Sequence, residues 1–315
     1  MILTVTLNAC VDHVFFVEGL RPHDTNRIVR KETDAGGKGI NVARVAAELG
    51  AAVRATGFLG GPTGAEIREV LQEQGVPHEF VRTASETRQN FSVEDGSGRP
   101  PTTFNAKGDP VTGLEWESLL TKVGEMSRDA VWVVLGGSIP PGCPVEAFQI
   151  LGDLAHSRHA RVVIDADNEA MVHGMRAAPE LIKPNVSEAS RLLGRSLPGE
   201  EDIVIAAREL RERLVDRGSV SPWVVISRGS DGAVMAGDFG VLLGRPVPVE
   251  AKSTIGSGDS MIAGLLFGLE KGMTSEESLR WGLASGAATA VTDGTEIGRL
   301  PVIQECFQRA VVERA

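Results

Sequence analysis

The chain has 315 residues, 42% of them hydrophobic and 23% charged, enough to bury one large α/β core or two smaller ones and too apolar for a disordered or fibrous protein. Its formal net charge of −10 excludes an extended nucleic-acid-binding face, because a phosphate backbone calls for clustered lysine and arginine. An acidic protein that takes an anionic ligand must gather its cations locally.

Three cysteines, Cys10, Cys143 and Cys306, are widely separated and odd in number. They give neither a disulfide framework nor a zinc spacing, which fits a reducing, cytoplasmic setting. His156 and His159 share a helical spacing but lack a third ligand nearby, so a surface helix accounts for them. The N-terminus reads as a strand, not a signal peptide, and no apolar run approaches the roughly 20 residues of a membrane helix.

Residues 2–7 predict a strand that stops at Asn8, with Asp12 following in a loop. Short extended pieces are expected at 15–17 and 28–30. Three glycines, Gly36, Gly37 and Gly39, then open a helix that ends at Gly50, with Lys38 and Asn41 placed to bond hydroxyls or phosphate. The Walker A spacing is absent. Residues 53–57 read as a strand and 64–74 as a helix. From there to about 107 the pattern changes to short extended pieces at 80–81, 90–94 and 102–104, an antiparallel excursion flanked by Arg88 and Lys107.

Strand–helix alternation resumes at 114. Helices are expected at 114–127, 145–156, 187–193 and 203–217, and strands at 130–135, 161–164, 181–185 and 223–226, with Asp165 at the end of one strand. Residues 232–236, 241–243 and 246–250 read as an antiparallel meander. Thr274 with Glu277 makes a capping box for a helix running to Thr292, and Pro301 starts the last helix. No linker, repeat or low-complexity tract breaks the chain. The expected architecture is one domain over 1–315, with a mainly parallel three-layer sheet and a small antiparallel appendage.

Polar, glycine-rich sequence recurs where strands end, and in a doubly wound sheet such loops collect along one edge. At Gly256, Ser257 and Gly258 a strand turns sharply into a helix whose N-terminus favours an anion. Asp259 stands in its first turn, where it serves either as an ordinary cap or as a carboxylate base. Asp12 serves either an Asx-turn or sugar hydroxyls. Arg88 and Arg27 are candidates for bidentate phosphate binding, set against the many arginines that are simply exposed. Asn185 and Glu188, three apart, either cap a helix or position Mg²⁺ through water. Cys10 reads as a small packing residue.

Together these motifs resemble the ribokinase-like (PfkB-type) carbohydrate kinases. Two signatures carry the resemblance, AGGKGINVARVAAELG at 35–50 and STIGSGDSMIAG at 253–264. GGSIPPG at 136–142, KPNVSE at 183–188 and SRGSDGA at 227–233 fall between them in the family's order, so the likeness spans nearly the whole chain. TLNACVD at 6–12 and the GGKGINVA form resemble the hexose-phosphate branch, which holds kinases of fructose 1-phosphate, fructose 6-phosphate and tagatose 6-phosphate.

The resemblance implies a three-layer α/β/α ribokinase-like fold and an ATP- and Mg²⁺-dependent transfer to a ketohexose phosphate. It implies Asp259 as base, with Gly256, Ser257 and Gly258 as anion hole. Asp12, Gly37, Lys38, Asn41 and Ser138 would bind the sugar, and Arg88 its phosphate, with Arg27 supplied from a partner subunit. Lys183, Asn185, Ser227, Gly229 and Gly232 would bind nucleotide, and Asn185 with Glu188 the Mg²⁺. A β lid from about 10–34 and 85–107 would pair two subunits into a homodimer, and a monovalent-cation loop would fall near Ser253, Ile255 and Gly294. The sequence departs from the family pattern at Ala9, Cys10, Asn168 and Ser257. Competing readings are a kinase of an unphosphorylated sugar or nucleoside, and a catalytically silent sugar-phosphate sensor.

Overall fold

The computed structural model describes residues 1–97 and 101–315. In chain order the strands are β1 (Ile2–Thr6), β2 (Cys10–Val17), β3 (Ile28–Gly36), β4 (Val53–Gly60), β5 (Val81–Thr83), β6 (Arg88–Glu94), β7 (Thr102–Phe104), β8 (Trp132–Gly136), β9 (Arg161–Asp165), β10 (Leu181–Ile182), β11 (Trp223–Ser227), β12 (Ala233–Gly237), β13 (Gly240–Gly244) and β14 (Val312–Arg314). The α-helices are α1 (Lys38–Glu48), α2 (Gly61–Glu73), α3 (Gly113–Met126), α4 (Ala147–His156), α5 (Asn168–Gly174), α6 (Val186–Leu193), α7 (Glu200–Val215), α8 (Ser257–Glu270), α9 (Ser275–Ala290) and α10 (Leu300–Arg309).

Ten strands form one sheet in the order β14-β13-β12-β11-β10-β9-β8-β1-β4-β5. From β11 to β5 every pairing is parallel, and β12, β13 and β14 add an antiparallel edge. The inner parallel strands are buried on both faces, and their residues alternate between two cores, whereas the edge strand β5 leaves Arg82 exposed. Ile2, Val134, Val163 and Val225 face a cluster with Ile40 and Val45 of α1, Ile67 of α2 and Leu266 of α8. Leu3, Val133, Ile164 and Val224 face the opposite cluster, with Leu119 of α3, Phe148 of α4 and Leu210 of α7. Two separately buried cores on one sheet make the three layers.

The chain goes from β1 outward to β4 and β5, then returns to place β8 on the other side of β1. The reversal opens a crevice beyond the carboxyl ends of β1 and β8, where parallel α/β sheets take their ligands. Thr6 pairs with Gly136 at that edge, and Asn8, Gly137 and Ser138 follow directly. Gly57, on β4, shows how closely the strands approach there: with φ +142°, a Cβ would stand 1.9 Å from the Thr6 carbonyl oxygen.

A second sheet, β3-β2-β6-β7, stands over this edge. Its outer pairings are antiparallel, but β2 and β6 run parallel, so the excursion is of mixed direction. Three expectations need correction. Asp12 is not in a loop but in the middle of β2, opposite Asp34 and Asn90. Val81 belongs to β5, the edge of the large sheet, and not to the excursion. Residues 246–250 do not form the third meander strand. Pro246 and Pro248 lack the N–H donors a ladder needs, and β14 at the chain's end takes that place.

Candidate active site

Two cavities open along the carboxyl edge of the large sheet. The first, of about 1060 Å³, lies under the small sheet and is lined by Asn8, Gly37, Asn41, Arg88 and Ser138 among others. The second, of about 580 Å³, runs between β11 and α8 and is lined by Lys183, Asn185, Ser227, Gly229, Gly232, Ser257 and Gly258, with Val247, Val249, Leu283 and Ala287 forming an apolar wall. The cavities meet. Lys38, Glu188, Gly256 and Asp259 line both.

Asp259 sits at the junction because Gly256 takes the left-handed conformation (φ +76°) and launches α8 from it. Ser260, one residue on, anchors the turn: its N–H and its Oγ both donate to the Gly256 carbonyl at 2.9 Å, and its hydroxyl is 2.7 Å from that of Thr289. Of the first-turn N–H groups of α8, that of Ser257 reaches the Thr254 carbonyl at 3.4 Å, while those of Gly258 and Asp259 have no acceptor within the helix and carry its partial positive charge. Asp259 is only 7% exposed. Its Oδ2 accepts a 2.8 Å hydrogen bond from Asn41 Nδ2. Burial, and then the negative charge of Asp165, push its carboxyl up to about 6, against the opposing pull of Lys38, Asn41 and Lys183.

Asp165, at the end of β9, is 1% exposed. Its Oδ1 accepts from Lys38 Nζ at 2.9 Å and lies 3.5 Å from Lys183 Nζ. Burial works against its charge, but Lys183 and Lys38 outweigh it and hold the carboxyl below the usual range. Burial likewise opposes the charge of Lys38, and Asp165 overrides it and raises the amine. One carboxylate thus fixes two ammonium groups, one on the wall shared by the cavities and one in the second cavity beside α8. A Cβ on Gly258 would lie 3.0 Å from Lys183 Nζ, so the glycine leaves open the space between this cation and the helix start.

The second cavity offers unsatisfied polar groups to a ligand. Ser257 Oγ and Asp165 Oδ2 are buried and make no hydrogen bond among the described residues, so polar atoms at the junction still want partners. Asn185 caps α6: its side chain accepts from Glu188 N at 2.9 Å, and Glu188 Oε2 accepts from Asn185 N at 2.8 Å. The capping account of this pair is therefore realised, and it leaves the second Glu188 oxygen for a cation. No group of three or more His, Cys, Asp or Glu side chains able to hold a metal occurs among the described residues.

In the first cavity, Asn8 Nδ2 donates to Ser138 Oγ and to the Lys107 carbonyl, each at 2.9 Å. Arg88 donates through Nε and Nη2 to the Asn8 carbonyl and through Nη1 to that of Ala106. Asp12 stands one step behind the wall, its Oδ1 accepting from Asn90 Nδ2 at 2.8 Å. A Cβ on Gly36 would lie 2.0 Å from its Oδ2, so that glycine makes room for the carboxylate. Cys10, which lines the cavity, is buried and its thiol is pushed up by desolvation, as expected of a packing residue rather than a nucleophile. Arg27 lies exposed just before β3 and does not line either cavity of its own chain.

The structure thus brings Lys38, Asn41, Asp259, Glu188 and the α8 start together and leaves Arg27 apart. The sequence reading missed Asp165 as a charge partner, Asn8 as the hub of the acceptor wall, and Asn90 as the partner of Asp12. Asp165 carried a signal, since it stands at a strand's carboxyl end. Asn90 carried none, because its role depends on β2 and β6 being adjacent.

Comparison with known proteins shows the family. The pattern of the pfkB family carbohydrate kinases matches residues 3–302. The chain is 34% identical to the 1-phosphofructokinase of Escherichia coli (strain K12) over 297 residues, 94% of this chain and 92% of that one. It is 31% identical to the 1-phosphofructokinase of Bacillus subtilis (strain 168) over the full length of both. Among solved structures, phosphofructokinase-2 from Escherichia coli in complex with substrates and products superimposes with a TM-score of 0.90 at 31% identity, covering 98% of each chain. The chain belongs to the pfkB family of carbohydrate kinases.

Proposed function

We propose that the protein transfers the γ-phosphoryl group of ATP to the free primary hydroxyl of a fructose phosphate, yielding the bisphosphate, with fructose 1-phosphate as the leading substrate. The observation that carries this reading is the position of Asp259, buried where the two cavities join. A hydroxyl entering from the first cavity and a phosphoryl group entering from the second would meet beside it. Asp259 would take the hydroxyl proton, and the amides of Gly256, Ser257 and Gly258, at the cap and first turn of α8, would stabilise the charge on the transferring group. Mg²⁺, held through water by Glu188 and Asn185, would screen the nucleotide phosphates when bound. Lys38, Asn41, Asp12 and Ser138 would orient the sugar, and Arg88 would meet its phosphate.

Fructose 1-phosphate and fructose 6-phosphate each carry a primary hydroxyl at the end of the furanose opposite the phosphate. The sequence relatives described above, named 1-phosphofructokinases, favour the former. An ADP-release assay on a panel of fructose 1-phosphate, fructose 6-phosphate, tagatose 6-phosphate and fructose, ranked by kcat/KM, tests the choice. Fructose winning the panel would refute the sugar-phosphate reading.

The small sheet, formed from about 10–34 and 85–107, would act as a lid and pair with a second copy. Val29 (66% exposed) and Phe104 (59%) leave it with apolar surface, which supports a homodimer. A monovalent cation near Ser253, Ile255 and Gly294 is part of the same proposal, supported by the buried hydroxyl of Thr295, which makes no hydrogen bond among the described residues. The three cysteines are all unpaired, which supports a cytoplasmic setting, and no helix among the described residues is long and apolar enough to cross a membrane.

A further inference from the structure

Three cations line the first cavity among the described residues: Lys38, Arg88 and Lys107. Lys38 is engaged by Asp165 at 2.9 Å. Arg88 spends Nε, Nη1 and Nη2 on backbone carbonyl groups of Asn8 and Ala106. The Lys107 ammonium makes no hydrogen bond or ion pair among the described residues.

Its backbone is the reverse. Residues 105–110 have no regular secondary structure, yet the segment is fastened at successive groups. Ala106 N donates to Asn90 Oδ1 at 3.1 Å, the Ala106 carbonyl accepts from Arg88 at 2.5 Å, and the Lys107 carbonyl accepts from Asn8 Nδ2 at 2.9 Å. Gly108 then turns at φ +84°, where a Cβ would stand 2.5 Å from Asn8 Oδ1. Lys107 is itself exposed, so the ammonium is open to a ligand while the backbone beneath it is held. Here the carbonyl of Lys107 and the hydroxyl of Ser138 are held by the same amide nitrogen, which also sets the lysine beside the strand-end turn.

We propose that Lys107 is a second cation of the acceptor-phosphate recess, placed by Asn8 and Arg88 so that its free ammonium meets the phosphate of the sugar substrate and selects phosphorylated over unphosphorylated acceptors. The proposal rests on the sugar-phosphate reading above. In a chain of net charge −10, an ammonium with no internal partner is the group available to neutralise a dianion. Arg88, held by the Asn8 and Ala106 carbonyl groups, would offer the phosphate only the Nη2 N–H it has left, and Lys107 would supply the unengaged point charge.

The test uses the full chain as wild type, Lys107→Met and Lys107→Arg. Two quantities are measured: KM for fructose 1-phosphate at saturating ATP, and the dissociation constant of inorganic phosphate by equilibrium titration. Loss of one charge-assisted contact raises both about tenfold in Lys107→Met, while kcat changes less than about threefold. Lys107→Arg, which keeps the charge, recovers most of the loss. Values for Lys107→Met equal to wild type in both measurements overturn the proposal, as does a matching loss in Lys107→Arg. A wild-type protein that turns over no sugar phosphate defeats the sugar-phosphate reading instead, and the phosphate titration then still judges whether Lys107 binds an anion.

Discussion

Asn41 and Asp259, 218 positions apart in the chain, meet through a 2.8 Å hydrogen bond from Nδ2 to Oδ2. α1 and α8 lie on the same face of the sheet, so the bond ties the first glycine-rich helix start to the second. The donor favours the ionised carboxylate, whereas burial and Asp165 favour the protonated one, and the balance stands at about 6.

A base must be ionised, so kcat/KM is expected to fall tenfold per unit as pH drops below about 6. In Asn41→Ala the bond that favours the charge is gone, and the acidic limb should move to higher pH. Asp259→Asn should lower kcat by about 10²–10⁴ while nucleotide affinity stays within a few fold. The same shift affects stability. The folded pKa lies above the ordinary aspartate value of 3.8, so the folded state binds more protons between the two values, and this group's contribution falls as pH rises through that window. Asp259→Asn should therefore be as stable as wild type at neutral pH, or more so. An inactive variant with a clearly lower melting temperature would contradict this account.

Asp165 governs the same limb from the other side. In Asp165→Asn a negative charge is lost near Asp259, and Lys38 and Lys183 lose their shared counter-charge, so the limb should move to lower pH. The cost is structural. Breaking a buried ion pair by removing one partner destabilises by about 3 kcal/mol or more. The partly exposed Lys38 side chain puts this case at the low end, because water can reach it. Denaturant unfolding at neutral pH, set beside a pH–rate profile, checks both claims, and a limb that moves upward would contradict the charge assignment.

The sequence made the parallel core legible because its strands are short apolar runs and its helices carry capping boxes and glycine ends. Thr274 with Glu277 is such a box, realised in the structure; Thr112 with Glu115 is another that went unread. The two glycine-rich helix starts were legible for the same local reason. What escaped was non-local. The place of β14 at the sheet edge depends on a chain end meeting β13, and no periodicity in three residues announces it. Asp12 was misplaced because a lone aspartate reads as a turn, whereas here Asn90, from a strand 78 positions on, gives it a partner inside a sheet. Asp165 was visible as a strand-end carboxylate, but its two lysine partners lie on different elements.

Gly258 gives a steric test of the helix start. A methyl group there would stand 3.0 Å from Lys183 Nζ, displacing the ammonium or occupying the space above the first turn. The helix itself should tolerate alanine well, since Ala has the better helix propensity by about 1 kcal/mol. Gly258→Ala is therefore expected to fold with unchanged or raised thermal stability and to lose at least tenfold in kcat. Full activity in a correctly folded Gly258→Ala would mean that the space beside Lys183 is not where the transferring group sits.

Arg88 joins the small sheet to the large one, and that makes its replacement more damaging than a lost ligand contact. Its guanidinium bonds the Asn8 carbonyl after β1 and the Ala106 carbonyl after β7, and Nη1 lies 3.4 Å from Asn90 Oδ1. Arg88→Met should raise KM for the sugar phosphate by more than tenfold, since charge-assisted hydrogen bonds are worth about 1.5–3 kcal/mol. It should also leave two backbone carbonyl groups without their donor and loosen the turn that carries Lys107, so the melting temperature should drop by a few degrees. Arg88→Lys keeps a charge but cannot span both carbonyl groups, and should recover little of either loss. Parallel measurements of KM and thermal unfolding on the two variants decide the matter: a lysine variant restored in both would show that charge alone, and not the two-carbonyl bridge, is what this position supplies.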